Sequence, residues 1–296
     1  MNPATEVGSA SDLADQLRST GYLCGNDLAT VTYLAVRMGR PLLLEGEPGT
    51  GKTALAEAAA AAWQVPLIRL QCYEGIDVTQ ALYDWDFPRQ VLHLRALEAS
   101  GGAHLAGIED AEKGLYDDRF LLARPVLAAL RESPAVLLID EVDRADDEFE
   151  AFLLEVLSTF QVTIPEFGVV RATVPPVVVL TSNRTRELHD ALKRRCLYHW
   201  LEHPNLDDEV AIVRSRAPEV SATLARQVAE VVQHLRTEVQ LVKPPGVAET
   251  LDWARALQHL GVADLDLAHA AVTLGALVKY REDTDRVAAS LATMLR

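Results

Sequence analysis

The run Gly46-Glu47-Pro48-Gly49-Thr50-Gly51-Lys52-Thr53 constrains this chain more than any other feature, because it fits the spacing G-x-x-x-x-G-K-[ST]. The apolar Leu42-Leu44 precedes it and the alanine-rich, helix-forming Lys52-Trp63 follows. In that setting the glycines let the backbone N–H groups from Gly49 to Ala54 turn inward, where they and the helix N-terminus can bind a β-phosphate. Lys52 then reaches the β and γ oxygens. The Thr53 hydroxyl is offered to Mg²⁺, a hard cation that keeps most of its waters and takes few protein ligands. The loop by itself does not choose between adenine and guanine.

Such a loop requires a parallel α/β sheet, and five apolar runs can supply it: Leu42-Leu44, Leu67-Cys72, Ala135-Ile139, Val177-Leu180 and Leu197-Leu201. Near-continuous apolar runs predict strands buried on both faces. Helical patterns at Lys52-Trp63, Phe120-Arg131, Asp147-Phe160 and Glu187-Arg194 separate them, which predicts a three-layer αβα core. A further helix is expected over Asn26-Met38, stopped by Gly39-Arg40-Pro41. The connection from Cys72 to Ala135 is about sixty residues, where a whole βαβ unit takes roughly thirty, so something is inserted. Within it, Ile76 to Phe87 reads either as a packed loop or as a functional one. A β-hairpin is expected over 161–174 around Glu166-Phe167-Gly168. Beyond Pro204 the pattern is helical throughout, near 207–216, 219–237, 246–260, 264–279 and 284–295, so the expected domains are a core over 1–203 and a helical lid over 204–296.

The charge balance, 28 basic against 43 acidic residues for a net of −15, opposes general attraction to nucleic acid or to anionic membranes and favours a protein partner. Cys24, Cys72 and Cys196 are too scattered for a disulfide framework or a metal motif and are expected to be reduced, structural thiols. Met1 to Gln16 has neither a basic nor an apolar leader region, and no run approaches the ~20 apolar residues of a membrane span. A cytoplasmic location with no stable membrane anchor is the expectation.

The third apolar run ends in Asp140-Glu141, placing two carboxylates at the carboxyl edge of the sheet, where open α/β folds bind ligands. Neighbouring side chains on a strand diverge, so Asp140 can support a Mg²⁺ shell while Glu141 activates water. The fourth run leads into Thr181-Ser182-Asn183, and Asn183 is placed to sense a γ-phosphate or hold water. Lys193-Arg194-Arg195 closes a short helix, either as cations suited to its dipole or as an arginine finger for a neighbouring subunit's phosphate.

Taken together these residues resemble an AAA+ ATPase, over nearly the whole chain. The insert and the hairpin resemble the helix-2 insert and pre-sensor-1 hairpin of the MoxR-type branch. The segments Gln71-Cys72-Tyr73-Glu74-Gly75-Ile76-Asp77, Ala81-Leu82-Tyr83-Asp84-Trp85 and Thr181 to Leu188 are similar to the CoxD-like proteins of carbon monoxide dehydrogenase maturation. The resemblance implies a ring, usually a hexamer, that uses ATP and Mg²⁺ to remodel a protein or insert its metal. It also implies a von Willebrand factor A domain partner and a metalloenzyme client. It assigns Lys52 and Thr53 to Walker A, Asp140 and Glu141 to Walker B, and Asn183 to sensor 1. Arg195 matches the finger better than Arg194. The pattern departs at sensor 2, where Lys243-Pro244-Pro245-Gly246-Val247-Ala248-Glu249 carries no arginine and Lys243 or Arg255 would have to substitute. Two other classes fit the motifs less well. A nucleic-acid motor or loader is opposed by a hairpin offering only Arg171 and an insert that opens acidic. A nucleotide-gated scaffold with little turnover is opposed by Glu141 and Arg195.

Overall fold

The computed structural model describes residues 6–99 and 114–295. Along the chain the strands are β1 (Leu42–Gly46), β2 (Leu67–Gln71), β3 (Tyr83–Trp85), β4 (Leu121–Ala123), β5 (Val136–Asp140), β6 (Gln161–Ile164), β7 (Gly168–Arg171), β8 (Val177–Ser182) and β9 (Leu197–Leu201). The helices are α1 (Ala10–Ser19), α2 (Asn26–Met38), α3 (Lys52–Trp63), α4 (Val78–Ala81), α5 (Phe87–Ala99), α6 (Pro125–Arg131), α7 (Asp147–Thr159) and α8 (Asp190–Arg195). Five more follow: α9 (Leu206–Arg216), α10 (Ala222–Glu238), α11 (Val247–His259), α12 (Leu267–Leu277) and α13 (Arg281–Met294). None is long and apolar enough to cross a membrane.

Five strands form one parallel sheet in the order β2-β5-β8-β1-β9, the three-layer α/β core that the sequence predicts. Burial corrects one expectation. Strands β1, β5 and β8 are buried almost throughout, but β2 and β9 lie at the two edges and keep exposed or half-exposed positions, Leu67 and Tyr198 among them. An edge strand packs fewer neighbours, so an apolar run alone overstates its burial. The predicted hairpin is present as β6 paired antiparallel with β7.

Two compact units make up the chain, one containing Val31–Leu43 and Trp63–Tyr198, the other Gly8–Thr30, Leu44–Ala62 and His199–Arg296. In the first, β2 pairs with β5 and β5 with β8, in a register that sets Gln71 beside Asp140 and Ile139 beside Leu180. Its core joins Leu137, Ile139, Phe149, Leu153 and Leu180. In the second, α10 turns Leu224, Val228, Val231, Val232 and Leu235 to one stripe, packed with Trp253, Leu257, Leu274, Val287 and Leu291. Trp253 is fully buried, and its indole N–H donates to Thr273 Oγ1 at 2.7 Å.

The insert differs from the sequence expectation. A helix over Phe120-Arg131 is replaced by a 3-10 turn at Asp118–Phe120, strand β4 and the shorter α6. Pro125 sets the helix start, because it holds Arg124 extended at φ −86° and ψ 172°. The stretch from Ile76 is also ordered. Asp77 caps α4 in a capping box with Gln80, and β3 pairs with β4. Residues 100–113 of the insert, and residues 1–5 of the stretch read for a leader, lie outside the described residues. Helix α8 begins at Asp190 rather than Glu187, with His189 as its N-cap. The helix α1, capped by Ser9, was not anticipated.

Candidate functional site

In the first unit, β5 and β8 bring the predicted carboxylates and amide together. Asp140, 4% exposed, is the last residue of β5. The Thr181 hydroxyl donates to its Oδ1, and Arg69 from β2 reaches its Oδ2 at 2.6 Å. Thr181 Oγ1 also accepts the Glu141 backbone N–H at 2.9 Å, so one hydroxyl ties both acidic residues to β8. Glu141 is not a strand residue, as the sequence reading assumed. It takes the left-handed conformation, φ 54° and ψ 48°, which turns the chain off the sheet and costs a non-glycine residue on the order of 1–2 kcal/mol.

That turn leaves the Glu141 carboxylate between two amides. Asn183 Nδ2 lies 3.4 Å from Oε1, and Gln71 Nε2 donates to Oε2 at 3.2 Å. Asp140, Glu141 and Asn183 therefore form one cluster. Gln71, Thr181 and Arg69, to which the sequence gives no role, supply further contacts, and Arg144 Nε lies 3.8 Å from Glu141 Oε2. The next turn is anchored by Asp143, 2% exposed, whose carboxylate accepts the backbone N–H groups of Asn183 and Thr185. Glu150, equally buried, accepts the His189 N–H at 2.8 Å and pairs with Arg186. An open groove of about 850 Å³ shares Asp143, Thr185 and Arg186 with this network.

Arg194 and Arg195 end α8, away from that cluster in sequence. Both side chains are exposed, and neither has an ion-pair partner among the described residues. Arg40 caps the backbone beneath them, with its Nε 3.0 Å from Arg195 O and its Nη2 2.5 Å from Arg194 O and 3.3 Å from Cys196 O. Burial pushes the neighbouring Cys196 thiol up to about 12, and burial with nearby carboxylates does the same to Cys72. All three cysteines are free thiols, in keeping with a structural role.

In the second unit the glycine-rich loop joins β1 to α3. Lys52 is the first residue of that helix and is 6% exposed, and its ammonium donates to Gly46 O at 2.8 Å and Glu47 O at 2.7 Å. Thr53 follows on the first turn, half-buried, and Thr50 Oγ1 closes the loop on Glu47 O at 2.9 Å. Gly46 is required by close approach, since a Cβ there would lie 2.2 Å from Leu201 O. Gly49, at φ +80°, is required twice over, because its Cβ would also lie 2.8 Å from Gly246 Cα.

Gly246, from the segment that carries no arginine in the sequence, is what approaches the loop at Gly49. Val247 N donates to Gly49 O at 2.9 Å, so the start of α11 meets the loop through main chain. Arg255 is engaged elsewhere, with Arg216 O at 2.6 Å and Glu219 at 3.7 Å, and the Lys243 backbone is held by Asp283. His203, just after β9, has a buried Nδ1 with no hydrogen-bond partner among the described residues. Burial, then the positive Arg236 and Lys52, lower its ionisation from 6.5 to about 4.

A buried ammonium at the head of a twelve-residue helix, beside a loop that no side chain can fill at Gly46 or Gly49, suits a polyphosphate. Asp140 and the Thr53 hydroxyl are hard oxygen donors of the kind Mg²⁺ takes. Among the described residues no three His, Cys, Asp or Glu side chains gather as a metal site, and an ion that keeps its waters and phosphate oxygens needs none. Residues 42–201, which run from β1 through β9, match the ATPase family associated with various cellular activities (AAA).

The chain belongs to the AAA family of ATPases. Among curated proteins, this AAA chain is similar to the chaperone protein ClpB of Rickettsia conorii, at 30% identity over 115 residues. That stretch is 38% of this chain and spans only 11% of the ClpB length. The uncharacterized protein SH1500 of Staphylococcus haemolyticus is 25% identical over 229 residues, 75% of this chain and 77% of that protein. Among solved structures, the RuvB Holliday junction branch migration motor of Thermotoga maritima aligns over 92% of this chain and 72% of its own, at 17% identity and a TM-score of 0.46.

Proposed function

We propose that this AAA ATPase is a Mg²⁺-dependent, MoxR-type chaperone that works as a ring, a hexamer in the usual family form, in the cytoplasm. Its core would extend over 1–203 and its lid over 204–296. The observation that carries the hydrolytic part of the reading is the cluster in which Thr181 ties Asp140 to Glu141 while Asn183 and Gln71 hold the Glu141 carboxylate.

Each residue then has a chemical role. The backbone of Gly46, Glu47, Pro48, Gly49, Thr50, Gly51 and Ala54 wraps the phosphates, and the Lys52 ammonium exchanges its loop carbonyls for β and γ oxygens. Thr53 and Asp140 would hold the Mg²⁺ shell, and the ion would neutralise charge on the phosphate oxygens. Glu141 accepts a proton from the attacking water, and Asn183 orients that water or the γ-phosphate. Arg195, or Arg194 beside it, reaches the phosphate of the neighbouring subunit, which would account for two exposed cations without an ion-pair partner among the described residues.

The user of that work would be a protein. The net charge of −15 disfavours a nucleic-acid track, and the exposed tip strand β7 carries Arg171 as its one cation. The partial similarity to a chaperone points the same way. The CoxD-like segments favour a metalloenzyme client, with molybdenum–copper carbon monoxide dehydrogenase as the candidate, and a von Willebrand factor A domain protein as co-factor of the ring.

Hydrolysis assays on Lys52→Ala and Glu141→Gln test the chemistry. Both should lose turnover, and undiminished rates in both would sink the site assignment. The Glu141→Gln form, which binds ATP and cannot complete the cycle, should retain the metalloenzyme client and the von Willebrand partner in a pull-down. Tight, salt-sensitive DNA binding in place of a protein client would overturn the chaperone reading.

A further inference from the structure

Helix α8 is too short to hold its own end. Six residues make fewer than two turns, and the last carbonyls of any helix lack intrahelical partners. Its two terminal arginines are exposed and have no ion-pair partner among the described residues, so no side-chain ion pair among those residues fixes their direction. The backbone under them is held.

Arg40 holds that backbone. One planar guanidinium spans the carbonyls of Arg194, Arg195 and Cys196, using Nε and Nη2. Pro41, the next residue, accepts the Leu197 N–H at 2.8 Å, so the grip covers four consecutive residues, 194–197. Buried Leu192 and Cys196 anchor the helix on either side, and Glu150 holds its start through the His189 N–H. A cation at a helix C-terminus is also favoured by the helix dipole. The fork geometry of Arg suits three carbonyls, whereas a Lys ammonium on the same stem is a point donor.

We infer that Arg40 is the positioning residue for the trans-acting arginine, fixing the end of α8 so that Arg195 or Arg194 is presented at the angle a neighbouring active site requires. This rests on the finger reading given above. Arg40 acts through the carbonyls it holds, and its effect is felt in the next subunit's site rather than its own.

Two inactive forms, mixed, separate the possibilities. The recipient carries Arg194→Ala and Arg195→Ala with its own phosphate loop and Glu141 intact, and the donor carries Glu141→Gln with its arginines intact. Mixed assemblies should regain ATP hydrolysis, because a recipient's intact site beside a donor meets an intact finger. Adding Arg40→Ala to the donor should then reduce the rescued rate by about 10²-fold, the cost of a misplacement on the order of 1 Å. Adding it to the recipient should leave the rescue unchanged. Arg40→Lys in the donor should fall between, and melting temperatures of the Arg40 variants confirm that folded protein is compared. Rescue that survives Arg40→Ala in the donor, or is lost equally from either side, overturns the inference while leaving the finger intact. No rescue in the unmodified mixture overturns the finger reading and the inference with it.

Discussion

Asp143 and Thr185 are joined three ways: the Asp143 carboxylate accepts the Thr185 N–H at 2.8 Å and its hydroxyl at 2.7 Å, and the hydroxyl also reaches Asp143 O at 3.3 Å. The same carboxylate takes the Asn183 N–H at 3.2 Å. An acid that is 2% exposed therefore sets where the Asn183 amide stands beside Glu141. Asp143→Ala leaves two backbone donors without their acceptor, at about 1–3 kcal/mol each. The expected outcome is a clear fall in melting temperature and a drop in kcat of about 10²-fold, with ATP still bound. Steady-state kinetics with a fluorescent-nucleotide titration reads both. An unchanged kcat would separate Asp143 from catalysis.

Gly246 should be intolerant of any side chain. A Cβ there lies 2.7 Å from Gly49 Cα and 3.0 Å from Gly49 O, and those atoms are backbone that can yield only by moving the phosphate loop. Overpacking of this kind costs about 1–3 kcal/mol. Gly246→Val is thus expected to weaken ATP binding by roughly tenfold or more, since 1.4 kcal/mol is tenfold in an equilibrium constant. Val is a poorer N-cap than Gly and should loosen the first turn of α11, but the helix should remain folded because the Trp253 core beneath it is untouched. Nucleotide affinity and far-ultraviolet circular dichroism together decide the matter.

Those two relationships also show where sequence reading reaches its end. The phosphate loop was legible because its spacing is local and its strand and helix neighbours are adjacent in the chain. Asp140, Glu141 and Asn183 were legible because each ends an apolar run. Gln71 and Thr181 carried no local signal. Their roles depend on the β2-β5 and β5-β8 register, a pairing of residues some seventy and forty positions apart. Arg40 depends on a contact 155 positions away. The left-handed turn at Glu141 was hidden for another reason, since glutamate is not a residue that announces positive φ. In the insert, apolar periodicity over 120–131 concealed a strand and a proline-started helix, because β4 needs β3 to exist at all.

His203 predicts a pH dependence of stability. Burial comes first, followed by the positive Arg236 and Lys52, in moving its ionisation from 6.5 down to about 4. Between those values the unfolded chain binds a proton that the folded chain refuses. Stability is therefore full above about pH 6.5, falls as pH drops towards 4, and gains no further loss from this group below that. His203→Gln removes the titrating group and should flatten this part of the curve. Denaturant midpoints measured at intervals from pH 7 to pH 4 check it, and equal slopes in both proteins would exclude His203 as the source.

The helical region should be most sensitive at Arg236. Its guanidinium meets Glu209 in two bonds, Nη1 to Oε2 at 2.7 Å and Nη2 to Oε1 at 2.9 Å, with side-chain exposures of 5% and 0%. Thr250 and Gln233 complete the carboxylate's partners, and Arg236 Nε donates to Pro245 O at 2.7 Å, immediately before Gly246. A buried pair of this kind adds little over an apolar pair of the same shape, but breaking it strands a charge, at about 3–5 kcal/mol. Arg236→Ala should therefore lower the melting temperature far more than the double change Arg236→Met with Glu209→Leu. It should also loosen the Pro245-Gly246 segment that Gly49 touches. Nucleotide affinity ought to fall in Arg236→Ala by more than the instability alone predicts when measured well below its melting point. A double-mutant cycle with Glu209→Gln assigns the effect, because a large coupling energy belongs to the ion pair and a small one to packing of the arginine stem.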